Sequence, residues 1–332
     1  MNNSTSWQPS SNIETLKQRA AFISDIRQFF ASRHVVEVET PLLSQGTVTD
    51  VHLDAFDTNF EHDTSGENKT LYLQTSPEFA MKRLLCAGSG PIFQIAKAFR
   101  NESAGRFHNP EFTMLEWYRP DFDEHQLMDE LDDLLQHLLD CERGLRVSYQ
   151  QVFIDKLGID PLQASLEELK AAVLSHSPSD DWVETETNKD TLLQWLFSIR
   201  IEPVLGFDPI SKNWQPCFVY DFPSSQAALA KVNPENEQVS HRFELYFKGI
   251  ELANGYFELQ SEAEQLLRFE KDNQQRLSIN KAAKPIDHNL IDALTVGLPS
   301  CAGVAVGIDR LFMLKVGAKS IADVISFDVS RC

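Results

Sequence analysis

The sequence predicts an α+β fold, a mainly antiparallel sheet flanked by helices, and three observations carry that prediction. Strand-like runs at Ile92 to Phe99 and Phe112 to Tyr118 bracket a polar loop, Asn101 to Pro110. A second pair of runs, Phe243 to Phe247 and Ile250 to Leu259, is joined by Lys248 and Gly249 alone, the length of a hairpin turn. Helical periodicity surrounds these strands without the strict strand–helix–strand alternation of a parallel sheet.

In chain order, residues 1–12 form a polar tail. Leu16, Ala20, Ile23, Ile26 and Phe30 then recur at helical spacing, the stripe of an amphipathic helix. Val36, Val38 and Thr40 alternate with Glu37 and Glu39 up to Pro41, a short strand. Asp57 to Thr70 is polar and reads as a surface loop. Leu127 to Leu139 is helical, with Leu131, Leu134, Leu135 and Leu138 facing a core. A less patterned region follows up to about Trp214, with helices expected near Leu166 to Leu174 and Leu192 to Arg200 and an exposed acidic, Ser-rich stretch between them. Near the C-terminus a small-residue strand from Gly303 leads into a helix after Asp309. No internal repeat is present.

Composition excludes several classes of function. With 332 residues, 42% hydrophobic and 24% charged, the chain is ordinary globular protein. Met1 to Ser11 holds no apolar signal-peptide core, and no window approaches the ~18 uninterrupted apolar residues of a membrane span. The five cysteines lie far apart with no Cys-x-x-Cys pair, which fits reduced thiols in a cytoplasmic protein. A formal net charge of −19 disfavours broad electrostatic capture of nucleic acid, tRNA included. P-loop, Rossmann and zinc-helix signatures are missing.

What remains are charges where a sheet ordinarily wants apolar residues. Alternation places Phe112, Met114, Glu116 and Tyr118 on one face, with both faces expected buried, so Glu116 needs a partner. That partner is a cation or a set of hydrogen-bond donors: either Arg100 or Arg119 within the fold, or a bound ligand. A Lys248-Gly249 turn pairs Tyr246 with Glu251 and leaves Glu244 diagonal to it, roughly 7 Å away at the backbone. The two acids are either unrelated and solvated or a pair of hard oxygen ligands for Mg²⁺ on nucleotide phosphates. Glu258, Asn254 and Tyr256 alternate onto the opposite face from Glu251, so one pocket requires a bulge, placed at Ala253-Asn254-Gly255. Gly303, Ala305 and Gly307 clear a strand for a flat ligand. Arg310 follows in a first helical turn, unfavourable for a cation, and either stacks on adenine or pairs with carboxylates.

These residues fall into a known arrangement. Glu37-Val38-Glu39-Thr40-Pro41, the loop from Phe99-Arg100-Asn101-Glu102 to His108-Asn109-Pro110-Glu111-Phe112, and Gly307-Ile308-Asp309-Arg310 resemble the three signature motifs of class II aminoacyl-tRNA synthetases. Thr75-Ser76-Pro77-Glu78, Phe112 to Glu116 and Glu251-Leu252-Ala253-Asn254-Gly255 resemble the lysyl-tRNA synthetases among them. The resemblance runs from about Arg19 to the C-terminus and is weakest between Cys141 and Cys217. It implies a class II catalytic core, residues 13–332, as a single domain.

The departures are informative. The first motif begins too early to leave room for that family's anticodon-binding domain. Two glycines of its lysine pocket are Ala253 and Ala305 here, and the loop arginine is Arg106, one place early. These departures resemble those of the synthetase paralogues that join β-lysine to elongation factor P. The resemblance therefore implies ATP-dependent activation of (R)-β-lysine and its transfer to a lysine ε-amine of elongation factor P. Alternatives are a truncated lysyl-tRNA synthetase charging tRNA and an inactive regulatory paralogue, the latter at odds with retention of Arg100, Glu102, Glu244, Glu251 and Arg310.

Residue by residue, the resemblance assigns catalysis to Arg100 and Arg310. Arg100, Asn101, Glu102, Asn109, Phe112, Glu244, Leu245, Gly307 and Arg310 would contact ATP, with Mg²⁺ on Glu244 and Glu251. Ser76, Pro77, Glu78, Tyr118, Glu251, Asn254 and Glu258 would hold the amino acid, Tyr118 and Glu258 at its distal ammonium. The first helix and the strand before Pro41 imply a homodimer.

Overall fold

The computed structural model describes residues 7–61, 66, 68–179 and 181–332. The elements run α1 (Ile13–Ala31), β1 (Val36–Glu37), β2 (Leu43–Ser44), β3 (Asp57–Phe60), β4 (Lys69–Leu73), α2 (Glu78–Cys86), β5 (Ile92–Phe99) and β6 (Glu111–Pro120). There follow α3 (Glu124–Leu139), β7 (Leu145–Ser148), α4 (Tyr149–Leu157), α5 (Leu166–His176), α6 (Trp182–Thr185), α7 (Lys189–Leu196), β8 (Cys217–Pro223), β9 (Val239–Phe247) and β10 (Ile250–Phe257). The chain ends with α8 (Glu262–Ser278), α9 (His288–Val296), β11 (Cys301–Gly307) and α10 (Ile308–Val316). Contacts divide the described residues into two compact units. One draws on Met1–Asp123, His137–Leu139 and Gln260–Cys332, the other on Glu124–Gln136 and Asp140–Leu259.

In the first unit the strand order is β1-β5-β6-β11, with β1 parallel to β5 and the other pairs antiparallel. Gln94 faces Glu116, and Glu116 faces Ala305, so these three form one row on one face of the sheet. The opposite face carries the row Phe93, Trp117, Val304. Helix α1 packs there: Phe30 stacks on Phe93 at 4.6 Å and tilts against Trp117 at 5.1 Å. It begins where the Asn12 side chain accepts the Thr15 N–H at 2.8 Å. Its buried stripe is Phe22, Ile26, Phe29 and Phe30, a rotation from the expected one, because the aromatic residues reach deepest between the strands. Ala20 is left exposed, and Leu16 and Ile23 are half-buried.

Two expectations need correction here. The stretch Asp57 to Thr70 is not simply a loop, since β3 and the start of β4 pair across it in a small sheet, β2-β4-β3. All four β3 residues are exposed, so backbone pairing formed this strand without any apolar alternation to announce it; residues 62–65 and 67 lie outside the described ones. Residues 1–6 of the polar tail also lie outside them. The rest of that tail is tied down, with Ser10 N–H donating to Ser326 O at 2.8 Å.

In the second unit the order is β10-β9-β8-β7, with β7 parallel to β8 and the remaining pairs antiparallel. The β9–β10 turn is the expected two-residue one, with Lys248 at φ 55° and Gly249 at φ 69°, the double positive φ of a type I′ hairpin. Helices α4 to α7 bury Tyr149, Phe153, Leu169, Leu192 and Phe197 into one cluster, where Tyr149 and Phe197 stack at 5.4 Å. A bulge falls between Glu251 and Ala253, not at Ala253-Asn254-Gly255: Glu251 pairs with Tyr246, Ala253 with Leu245 and Asn254 with Glu244. Leu252 is the extra residue, and it turns Glu251 onto the same face as Asn254 and Glu244.

Gly255 sits across from Phe243, and a Cβ there would fall 2.4 Å from that ring. Gly255→Ala should therefore cost about 1–3 kcal/mol of stability in denaturant unfolding, the range of overpacking. Phe243→Leu in the same chain should recover part of the loss, and unchanged stability of the single variant would refute the close packing.

Candidate active site

The first unit carries an anion-seeking group at the end of β5. Three successive backbone amides there are fixed by three different segments: Phe99 by Gln74 O at 3.0 Å, Arg100 by Pro110 O at 2.9 Å and Asn101 by Asp54 O at 2.7 Å. The Arg100 guanidinium lies over the Phe112 ring, 5.2 Å from its centre. Its Nε is buried and meets no acceptor among the described residues. A buried donor left so costs stability, and a phosphate or carboxylate oxygen is the partner its charge suits best. The structure thus brings Arg100 and Phe112 together, while Asn101 and Glu102 stand exposed at the start of the loop.

The loop's far end is anchored to the C-terminal segment. Asn109 donates to Glu111 O at 2.6 Å and accepts the Val329 N–H at 3.0 Å, so this expected nucleotide contact also serves the scaffold. Arg106, the displaced loop arginine, donates from Nε to Lys319 O at 2.8 Å. Arg310 donates to Phe107 O at 3.1 Å and lies 2.8 Å from His108 Nε2. Burial, and secondly the Arg310 charge, push the His108 ring below its usual pKa, so it faces Arg310 as a neutral acceptor. A Cβ on Gly307 would touch only the Arg310 stem, at 3.8 Å and beyond, so no protein neighbour crowds that position.

Asp309 went unassigned in the sequence. It is 2% exposed, accepts the Thr113 N–H at 2.8 Å and pairs with Arg19, which locks α10 to β6 and α1. Its sequence signals are its place inside the Gly307 to Arg310 motif and an acid in the first turn of a helix, where the dipole favours one.

A second cluster of the same unit is acidic. Ser76 Oγ donates to Glu116 at 2.6 Å and accepts the Glu78 N–H at 3.0 Å, and Tyr118 OH donates to Glu116 at 2.7 Å. Lys82, 2% exposed, reaches Glu78 at 2.6 Å. Pro77 precedes α2 as its cap residue and turns Glu78 into the cluster. Of the partners expected for Glu116, the structure supplies hydrogen-bond donors, two hydroxyls in place of Arg100 or Arg119, because β6 alternation sets Tyr118 beside it and the α2 start brings in Ser76. Burial, and then the Glu78 charge, push the Glu116 carboxyl up to about 7, against the two hydroxyls and Lys82.

In the second unit the bulge gathers Glu244, Glu251 and Asn254 on one face. Arg242 and Tyr246 both donate to Glu244, and Arg242 also donates to Gln226 O at 2.6 Å. Burial pushes the Glu244 carboxyl up, Arg242 opposes it, and the charge of Glu251 adds to the push. Glu258 is 1% exposed just past β10, and continued alternation from Asn254 and Tyr256 keeps it on their face. Leu245 points to the opposite face and could offer only backbone to a ligand. Ala253 shares that face, while Ala305 lies opposite Glu116 in the β6–β11 register.

No group of three or more His, Cys, Asp or Glu among the described residues is arranged to hold a metal. The Glu244 and Glu251 pair still fits Mg²⁺, which takes one or two carboxylates and fills its shell with water and phosphate oxygens. Their mutual repulsion, visible in the raised Glu244, is what a cation would relieve.

The raised Glu116 gives a pH signature. An unfolded Glu loses its proton near 4.5, whereas the folded one keeps it to about 7. The folded state therefore binds more protons in that window, and the contribution is full below about 4.5 and lost as pH rises through 7. Glu116→Gln should flatten the fall in unfolding midpoint between these pH values. A variant that keeps the wild-type slope would remove Glu116 as its source.

The model of class II tRNA synthetases (D, K and N) matches residues 5–331. The Elongation factor P--(R)-beta-lysine ligase of Vibrio parahaemolyticus is 57% identical over 323 residues, 97% of this chain and 98% of its own. Proteins of the same name from Yersinia enterocolitica and Salmonella typhi are 54% and 52% identical over 331 residues, 100% of both chains. With its signature residues so placed, the chain belongs to the class II tRNA synthetase family, alongside these ligases.

Proposed function

We propose that the chain is an ATP-dependent ligase that activates (R)-β-lysine as an acyl-adenylate and transfers it to the ε-amine of a lysine on elongation factor P. The full-length likeness to ligases of that name supports the substrates. The observation that carries the chemistry is that the first unit holds both a buried arginine donor that meets no acceptor among the described residues and a carboxylate cluster, one suited to an anion and one to an ammonium.

In the first step a substrate carboxylate oxygen attacks the α-phosphorus of ATP, and the bond to the pyrophosphate oxygen breaks. Arg100 holds the carboxylate and α-phosphate and offsets charge on phosphorus, and no protein nucleophile is needed. Phe112 and Arg310 sandwich adenine, Gly307 and the Leu245 backbone close on the nucleotide, and Asn101, Glu102 and the remaining amide hydrogen of Asn109 contact it. Mg²⁺ held by Glu244 and Glu251 would neutralise phosphate charge. Ser76, Pro77 and Glu78 hold the amine nearer the carboxylate, while Tyr118, Glu258 and Asn254 hold the distal ammonium. The Tyr118 oxygen can accept from that ammonium while its O–H goes on donating to Glu116. In the second step the acceptor amine attacks the acyl carbon, the bond to AMP breaks, and the new amide nitrogen loses its proton.

Residues 13–332 act as one catalytic domain in this reading, in the cytoplasm, with a protein acceptor rather than tRNA. No described helix is long and apolar enough to cross a membrane.

ATP–pyrophosphate exchange across lysine isomers tests the first step. Exchange should run much faster with β-lysine than with α-lysine and fail with analogues lacking the distal ammonium, whose loss strands buried carboxylate at several kcal/mol. Added elongation factor P should gain one β-lysyl mass on a single lysine. Efficient charging of tRNA with the protein left unmodified would favour the truncated synthetase instead.

A homodimer is proposed as well. Ile13 and Val36 are 60% and 55% exposed, and Leu16, Ala20 and Ile23 continue from Ile13 along one helical flank, Ala20 exposed and the other two half-buried. Sedimentation at micromolar concentration should show a species of twice 37.7 kDa, and a lone 37.7 kDa species would refute it.

A further inference from the structure

Helix α8 buries a charge that the reaction itself does not use. Arg276 is 2% exposed, although the helix around it is strongly polar. Its guanidinium donates to four acceptors: Ala282 O at 2.9 Å, Asp50 O at 2.7 Å, Leu53 O at 3.3 Å and the Asp54 carboxylate at 2.6 Å. Lys281 adds bonds to Val51 O at 2.8 Å and to Asp54 at 3.0 Å. Residues 50–54 form no helix or strand, so these donors fix a segment that has no ladder to hold it. The Asp54 carboxyl is drawn below its usual pKa, first by Arg276 and, among the cations, next by Lys281, as a committed ion pair should be.

The segment ends at the functional loop. Phe99 and Glu111 form the last pair of the β5–β6 ladder, so the Asn101 N–H has no strand to donate to. Its acceptor is Asp54 O at 2.7 Å, one residue beyond Arg100. We propose that Arg276 is a positioning residue for Arg100: it holds the 50–54 segment, whose Asp54 carbonyl fixes the backbone on which Arg100 stands. This rests on the reading that Arg100 meets the carboxylate and α-phosphate. A lysine could reach one or two of these acceptors, but only a planar fork spans carbonyls and carboxylate together.

The test is a double-variant cycle on the full chain. Arg276→Lys should lower kcat for ATP–pyrophosphate exchange with β-lysine by roughly 10- to 100-fold, the scale of a small misplacement at a reacting centre. KM for β-lysine should rise by less than kcat falls, because Ser76, Glu78 and Glu116, which hold the rest of that substrate, are fixed by other segments. Since the loss passes through Arg100, Arg276→Lys combined with Arg100→Lys should lose no more than Arg100→Lys alone. Asp54→Asn, which keeps the shape and removes the charge pairing, should reproduce the effect in weaker form and decides the matter if Arg276→Lys does not fold. Independent, multiplying losses, or normal kcat in a folded Arg276→Lys, would overturn the proposal. The same cycle read on ATP affinity by calorimetry decides the coupling even if β-lysine is not activated, which would sink the substrate reading alone.

Discussion

A carboxylate set into the middle of a sheet needs partners, and Glu116 on β6 is the constraint around which the first unit is organised. Its strand pairs on both sides, so its depth is fixed by ladder register and it cannot swing to water. Two hydroxyls supply donors, one from its own strand and one from the turn into α2. That turn also delivers Glu78, whose charge opposes ionisation of Glu116 while Lys82 favours it. The result is a buried group near its titration point, which an arriving ammonium would tip to the charged form. Small residues at Ala305 and Gly307 on the neighbouring strand keep this face open, whereas Phe93 and Trp117 close the other one against α1.

The sequence made legible whatever was written as apolar period or turn chemistry. The β5–loop–β6 unit, the Lys248-Gly249 hairpin and the strand–helix junction at Gly307 all stand where spacing put them. The need for a bulge in β10 could be deduced from Glu251 and Asn254 falling on opposite faces. Its position at Leu252 could not, because a bulge inserts at whichever residue packs best on the far face. α8 was invisible for a different reason. Its buried residues Gln265, Phe269 and Arg276 have helical spacing, but two of them are polar, so a reading based on hydrophobic period passes over them. Strand β3 carried no burial signal at all.

The same limit applied to the site. Charged residues on strands announced themselves, and the likeness to class II synthetases supplied roles for them. Partners did so only in part: alternation set Tyr118 on the face of Glu116, whereas Ser76 arrives through a turn that residue spacing does not record. Asn109 shows the converse: a residue assigned to the nucleotide also ties the loop to Val329 and Glu111.

A chain of net charge −19 that is to hold an anion must keep its cations from being neutralised where the anion binds. Two arginines at the loop donate to neutral oxygens, Arg106 to Lys319 O and Arg310 to Phe107 O. A carbonyl orients a guanidinium without cancelling its charge, unlike a carboxylate. Arg100 goes further, with aromatic packing on Phe112 and a buried Nε that no described acceptor meets. Orientation is thus obtained from dipoles and ring faces, and the positive field is held back for an anion. A net charge of −19 opposes broad capture of a polyanion, while a compact anion needs only the few cations kept for it.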